Sequence, residues 1–78
     1  MKARVYVTLR KDVLDPQGEA VEGSLRKLGF PVHGIRVGRV IDLEVESDDP
    51  AEARAQVERM CAELLTNPLI ESAEIELA

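Results

Sequence analysis

The sequence predicts an α+β domain whose elements run β-α-β-β-α-β. Two stretches carry apolar residues at helical spacing, and strand-like runs flank them. Both helical stretches open on Asp-Pro, so the chain reads as two related halves. At 78 residues it makes one small domain, residues 1–78, with no linker or low-complexity segment.

The first strand is Ala3 to Arg10. Val5, Val7 and Leu9 share one face, and Arg4, Tyr6, Thr8 and Arg10 share the other. The first helix is Pro16 to Leu28. Asp15 is suited to cap it, and Pro16 suits its first position because proline lacks an N–H that has no helical partner there. Val21, Leu25 and Leu28 are expected to form its buried stripe. Gly29 fits the left-handed position after the helix, and Pro31 follows. Val32 to Arg39 is predicted as a second strand, weakened by Gly34 and Gly38. Val40 to Glu46 is the third, with Ile41, Leu43 and Val45 inward. Gly38-Arg39 between them reads as a hairpin turn or as a bulge in one long bent ribbon.

The second helix starts at Asp49-Pro50, and Glu52 is placed to reach back to the cap N–H. Ala53, Val57, Met60, Cys61, Leu64 and Leu65 form its apolar stripe. Arg54/Glu58 and Arg59/Glu63 are spaced to pair on its wet face. Asn67-Pro68 ends it, with Asn67 able to take a left-handed backbone. The last strand, Leu69 to Leu77, turns Ala73, Ile75 and Leu77 inward. This order gives a two-layer sandwich, an antiparallel sheet with both helices on one face, as in ferredoxin-like folds. Strand order stays open, and the last strand is a candidate for pairing with a neighbouring subunit.

A chain of this size buries only about 60–65% of its unfolded surface. Tyr6 and Phe30 are the only aromatics. Such a thin core implies a partner or self-association. The single cysteine excludes an internal disulfide. No leader-like or membrane-spanning run is visible, so a cytoplasmic location is expected. The net charge of −5 is uneven: residues 1–39 hold eight Lys/Arg against four Asp/Glu, and residues 40–78 hold two against eleven. Either the fold interleaves the halves, or an acidic face meets a basic partner. Nucleic acid is excluded as a partner, since the acidic half repels phosphate and stacking aromatics are missing.

No self-sufficient active site emerges. His33 is the only histidine, and Cys61 lies on the buried stripe of the second helix, so a nucleophile–base pair is not indicated. There is no metal-binding Cys or His spacing. Asp42, Glu44 and Glu46 line up on one strand face and read as solvated. No glycine loop cradles phosphate. One oddity remains at Gln17-Gly18. Glycine in a first helical turn costs roughly 1 kcal/mol against alanine. With no evident structural reason for it, Gly18→Ala is expected to fold as well or better and to weaken assembly with partners.

Four motifs resemble one family across nearly the whole chain. They are Val13-Leu14-Asp15-Pro16-Gln17-Gly18, Leu28-Gly29-Phe30, Arg36-Val37-Gly38-Arg39, and the run from Cys61 to Glu71 through Asn67-Pro68. Together they resemble the PurS family, the small subunit of phosphoribosylformylglycinamidine synthase. Arg39 stands where the family usually has lysine, and Thr66 and Leu69 where alanine and valine are expected. The resemblance implies a subunit without catalytic residues or bound cofactor in purine biosynthesis. It implies a bridge between a glutaminase subunit and a large synthetase subunit that uses ATP and Mg to make formylglycinamidine ribonucleotide. It also implies work as a dimer or tetramer. A regulatory domain that binds an amino acid between two copies is the alternative.

Three places are candidates for partner contact. The turn Asp15, Pro16, Gln17 and Gly18 can offer helix N–H groups and the Gln17 amide. Arg36, Gly38 and Arg39 can clamp a partner carboxylate, or else pair with acidic strands of this chain. Asn67 and Pro68 form a third, more structural turn.

Overall fold

The computed structural model describes residues 1–78. Three strands and two helices form in the order β1 (Lys2–Leu9), α1 (Pro16–Lys27), β2 (Arg39–Glu44), α2 (Pro50–Met60) and β3 (Glu71–Leu77), with a π-helical turn, Cys61–Leu65, continuing α2. The sheet is antiparallel with β1 in the centre, in the order β2-β1-β3. Val5 lies opposite Ile41 on one side and Ile75 on the other, and Ala3 lies opposite Leu43 and Leu77. These residues share one face because strand side chains alternate.

The core lies between that face and α2. Its seven buried apolar residues are Ala3, Val5, Val7, Val45, Ala53, Val57 and Cys61. Ala53, Val57 and Cys61 are spaced four apart on one stripe of the helix and its continuation. None of the seven is aromatic, so each valine carries a large share of the stability. The opposite sheet face is wet. There Arg4 pairs with Asp42 at 2.7 Å, and the Tyr6 hydroxyl donates to Glu76 at 3.3 Å.

The α+β, ferredoxin-like class holds, with three strands in the sheet. The expected second strand, Val32 to Arg39, does not form, and residues 30–38 pair with no strand. Their amides are committed elsewhere: Val37 N–H donates to the Asp15 carboxylate at 2.7 Å, and Gly34 N–H to Glu22 at 2.7 Å. No hairpin forms at Gly38-Arg39, and the chain enters β2 directly. The last strand pairs with β1 of its own chain rather than being left for a neighbour.

Helix α1 is capped as expected. Asp15 accepts the Gly18 N–H at 2.8 Å, and Gly29 has a φ of 97° just past the end. The stripe of α1, however, is not buried. Gly18 is its only buried residue, Val21 is exposed, and Leu28 is 72% exposed. The helix projects from the sheet body, which gives extents of 49 × 24 × 14 Å. The radius of gyration, 15.8 Å, exceeds the about 11–12 Å of a compact chain this long.

Smaller corrections follow from side-chain geometry. Asp49 caps α2 through the Ala51 N–H at 3.0 Å, but the cap N–H goes to Ser47 Oγ and Glu52 instead accepts from Gln56. Arg54 reaches the Ile75 carbonyl rather than Glu58, while Arg59–Glu63 forms at 3.6 Å. Leu64 is 83% exposed. The wider π turn, closed by Thr66 N–H on the Cys61 carbonyl at 3.1 Å, rotates it off the buried stripe. Asn67 does not take a left-handed backbone, since no residue other than glycine has positive φ. Its carbonyl and side chain bind the amides of Leu69, Ile70 and Glu71 instead.

Candidate partner-docking site

The three groups of candidate residues converge on one end of the sheet, and hydrogen bonds link them in series. Asp15 joins the first turn of α1 to the returning chain, since one carboxylate oxygen takes the Gly18 N–H and the other the Val37 N–H. Those two N–H groups hold its pKa below the usual carboxylate range, the Val37 bond most strongly. Arg36 donates to the carbonyls of Arg10 at 2.9 Å and Val13 at 2.8 Å. Arg10 in turn donates to the Pro68 carbonyl at 2.8 Å. Arg39 closes the series with a two-pronged bond to Glu71 at 2.6 and 3.2 Å and a third to the Leu65 carbonyl at 2.6 Å. Glu71 also accepts the Asn67 N–H at 2.7 Å. Arg39 and the Asn67 amide lower the pKa of Glu71, the arginine more.

Two glycines make the convergence sterically possible. A Cβ on Gly18 would sit 2.1 Å from the Ile35 carbonyl oxygen, and one on Gly38 would sit 2.7 Å from that of Val7. Gly18 therefore has a structural reason that no local reading reveals: the returning backbone crosses directly over it. The expectation that Gly18→Ala folds as well or better is overturned on this ground. The Gly18 amide is held by Asp15, so what this turn can offer a partner is the exposed Pro16 ring and Gln17 amide.

Both arginines expected to clamp a partner carboxylate are bonded within the chain, Arg36 to carbonyls and Arg39 to Glu71. The pairs Arg4–Asp42 and Arg39–Glu71 join the basic and acidic halves, so the halves interleave at these points. None of the four ion pairs uses Arg10, Lys11 or Arg36; the Arg36 charge acts on Asp15 from beyond ion-pair distance, which leaves Arg10 and Lys11 at this end without a carboxylate partner. A cleft of about 480 Å³ opens here, floored by Val7 and Leu9 and walled by Pro16, Gln17 and Arg39. Leu14 and Leu69 are exposed, Leu69 at 84%. Charge beside bare apolar surface suits contact with a protein.

The sequence did not single out Arg10 or Glu71 individually, although each ties two candidate groups together. Glu71 lies four residues beyond Asn67, a spacing that suits a side chain closing its own turn. Arg10 has no comparable signal. Elsewhere, His33 is exposed and Cys61 is buried, with burial pushing its thiol pKa up. No group of three or more His, Cys, Asp or Glu is placed to hold a metal ion.

Comparison with known proteins gives this geometry its context. Residues 2–78 match the family model PurS, described as phosphoribosylformylglycinamidine (FGAM) synthase. The chain belongs to the PurS family. Among its relatives, the phosphoribosylformylglycinamidine synthase subunit PurS of Synechocystis sp. is 45% identical over 75 residues, covering 95% of this chain and 75% of that protein. The crystal structure of the purS subunit from Thermotoga maritima superimposes with a TM-score of 0.88 at 41% identity, covering 96% of this chain and 87% of that one. A chain in the structure of PurLQS from Thermotoga maritima also gives 0.88 at 41% identity, covering 96% and 93%. The projecting helix and three-stranded sheet thus lie within a fold that PurS chains share nearly end to end.

Proposed function

We propose that this chain is the small, non-catalytic subunit of phosphoribosylformylglycinamidine synthase. On this reading it holds a glutaminase subunit and a large synthetase subunit in register. Ammonia released from glutamine then displaces phosphate from the ATP-activated formamide of formylglycinamide ribonucleotide. ATP and Mg belong to the synthetase, and the work is done in the cytoplasm. The observation that carries the reading is the end-to-end match to PurS subunits, including a chain of a structure named PurLQS.

The geometry supports a contact role. Most of the apolar stripe of α1 is uncovered, with Val21, Leu28 and Phe30 exposed, which suits self-association as a dimer or tetramer. The end of the sheet presents Arg10 and Lys11 beside Leu14 and Leu69 to an acidic, partly apolar enzyme surface. A sealed route between enzymes matters because ammonia is mostly protonated near neutral pH and is then not nucleophilic. A subunit that orders little on binding lowers the cost of assembly. The test is reconstitution of glutamine-dependent synthesis from the three subunits. Omitting this chain is expected to abolish or sharply reduce product formation, and unchanged synthesis without it refutes the proposal.

A further inference from the structure

Residues 14–38 form an arm that leaves the sheet body through Lys11–Val13 and returns through Ile35–Gly38. The arm has little packing to hold its angle, since α1 buries only Gly18. No ion pair crosses from arm to body; the only pair inside the arm is Glu22–Arg26. The hydrogen bonds that cross are the two from Arg36 to the Arg10 and Val13 carbonyls. Asp15 then ties the outgoing and returning chains together through the Gly18 and Val37 amides. The backbone contacts at Gly18 and Gly38 leave no slack at the same place.

We propose that Asp15 and Arg36 are positioning residues that lock this joint, and that the angle they set for α1 governs how tightly the two partner enzymes are coupled. The second half of the inference rests on the functional reading above. A long lever magnifies a small rotation at its root. In a molecule with a longest dimension of 49 Å, a slight loosening at Asp15 displaces Leu28 and Phe30 by much more. Surfaces docked on the arm and on the sheet end then lose their mutual register, and ammonia escapes between them.

The experiment uses the reconstituted three-subunit enzyme with Arg36→Met, which keeps the apolar stem and removes both donors. Asp15→Asn, which keeps the size and replaces one acceptor oxygen with a donor, is the second variant and carries the test if Arg36→Met does not fold. Two quantities are measured: hydrogen exchange at the Val37 and Gly18 amides, and glutamate released per molecule of product. The amides are expected to exchange at least tenfold faster. The glutamate-to-product ratio is expected to rise at least twofold, and the glutamine-dependent rate to fall relative to the rate with added ammonia. Unchanged exchange overturns the lock. Faster exchange with a wild-type ratio overturns the coupling role, since the joint is then structural alone. If synthesis proceeds equally well with the chain omitted, the functional reading itself has failed. Full dependence on the chain combined with wild-type coupling by Arg36→Met fails the inference only.

Discussion

Replacing Gly18 with alanine reads out the contact between α1 and the returning chain. In an open helix the change is favourable, by about 1 kcal/mol. Here the new Cβ would lie 2.1 Å from the Ile35 carbonyl oxygen and 3.0 Å from its carbon. A comfortable carbon–oxygen contact is roughly 3.3 Å or more, so backbone must move by about 1 Å. Forcing an extra carbon into a packed place costs about 1–3 kcal/mol, occasionally more. Moving Ile35 also weakens the bond from the Val37 amide to Asp15, two residues on, at a further cost of roughly 1 kcal/mol. The net expectation is a loss of about 1–3 kcal/mol. With a urea dependence of about 1 kcal/mol per molar for so small a chain, the unfolding midpoint falls by about 1–3 M. Protein concentration is held fixed, because association stabilises the folded state by mass action. Gly23→Ala in the same helix is the control. Its Cβ would meet nothing within 4 Å, so it is expected to raise stability by about 0.4–1 kcal/mol. A Gly18→Ala midpoint equal to or above that of the wild type refutes the reasoning.

Three further outcomes are expected. Asp15, Asp42 and Glu71 all have folded pKa values lowered from ordinary values of 3.8, 3.8 and 4.5. Their contribution is therefore present above the unfolded values and lost as pH falls through the folded ones. Urea midpoints should be flat above about pH 5 and fall below about pH 4, with a shallower fall in Asp15→Asn; an identical acid slope in that variant contradicts the assignment. Val57 is fully buried, so Val57→Ala should cost about 2 kcal/mol and lower the melting temperature by about 8–16 °C, measured by circular dichroism. The buried Cys61 thiol, its pKa raised by burial and then by Glu58, should react with an aromatic disulfide reagent only on unfolding; rapid reaction of the native protein counts against its place in the core.

The readable parts of the fold were those governed by neighbours in sequence. Alternation placed β1 and β3, and Asp15-Pro16 and Asp49-Pro50 placed both helix starts to the residue. The unreadable parts were set by groups far apart in the chain. Residues 32–38 carry a strand-like sequence, but the Val37 amide answers to a carboxylate in the other arm of the loop. Gly18 looked gratuitous because the carbonyl that needs its bareness belongs to Ile35. Leu64 fell on the right stripe for an α-helix and left it only because the last turn widens. The sequence offers three separate candidate places, and only the folded chain brings them to one end of the sheet. Their bonds were not legible, because Arg36 and Arg39 find carbonyls and a carboxylate that only the folded chain brings near.

The central place of β1 also bears on how the chain is made. Its residues precede both partner strands in the chain, so one edge waits for Arg39–Glu44 and the other for Glu71–Leu77, with Ala3 finally opposite Leu77. Val5 and Val7 stay without their second neighbouring strand until Glu71–Leu77 has been synthesised. Contacts this distant in sequence slow folding, and exposed strand edges invite wrong partners meanwhile. The nascent chain is consequently vulnerable until β3 appears, and a truncation that removes β3 leaves β1 without half of its ladder.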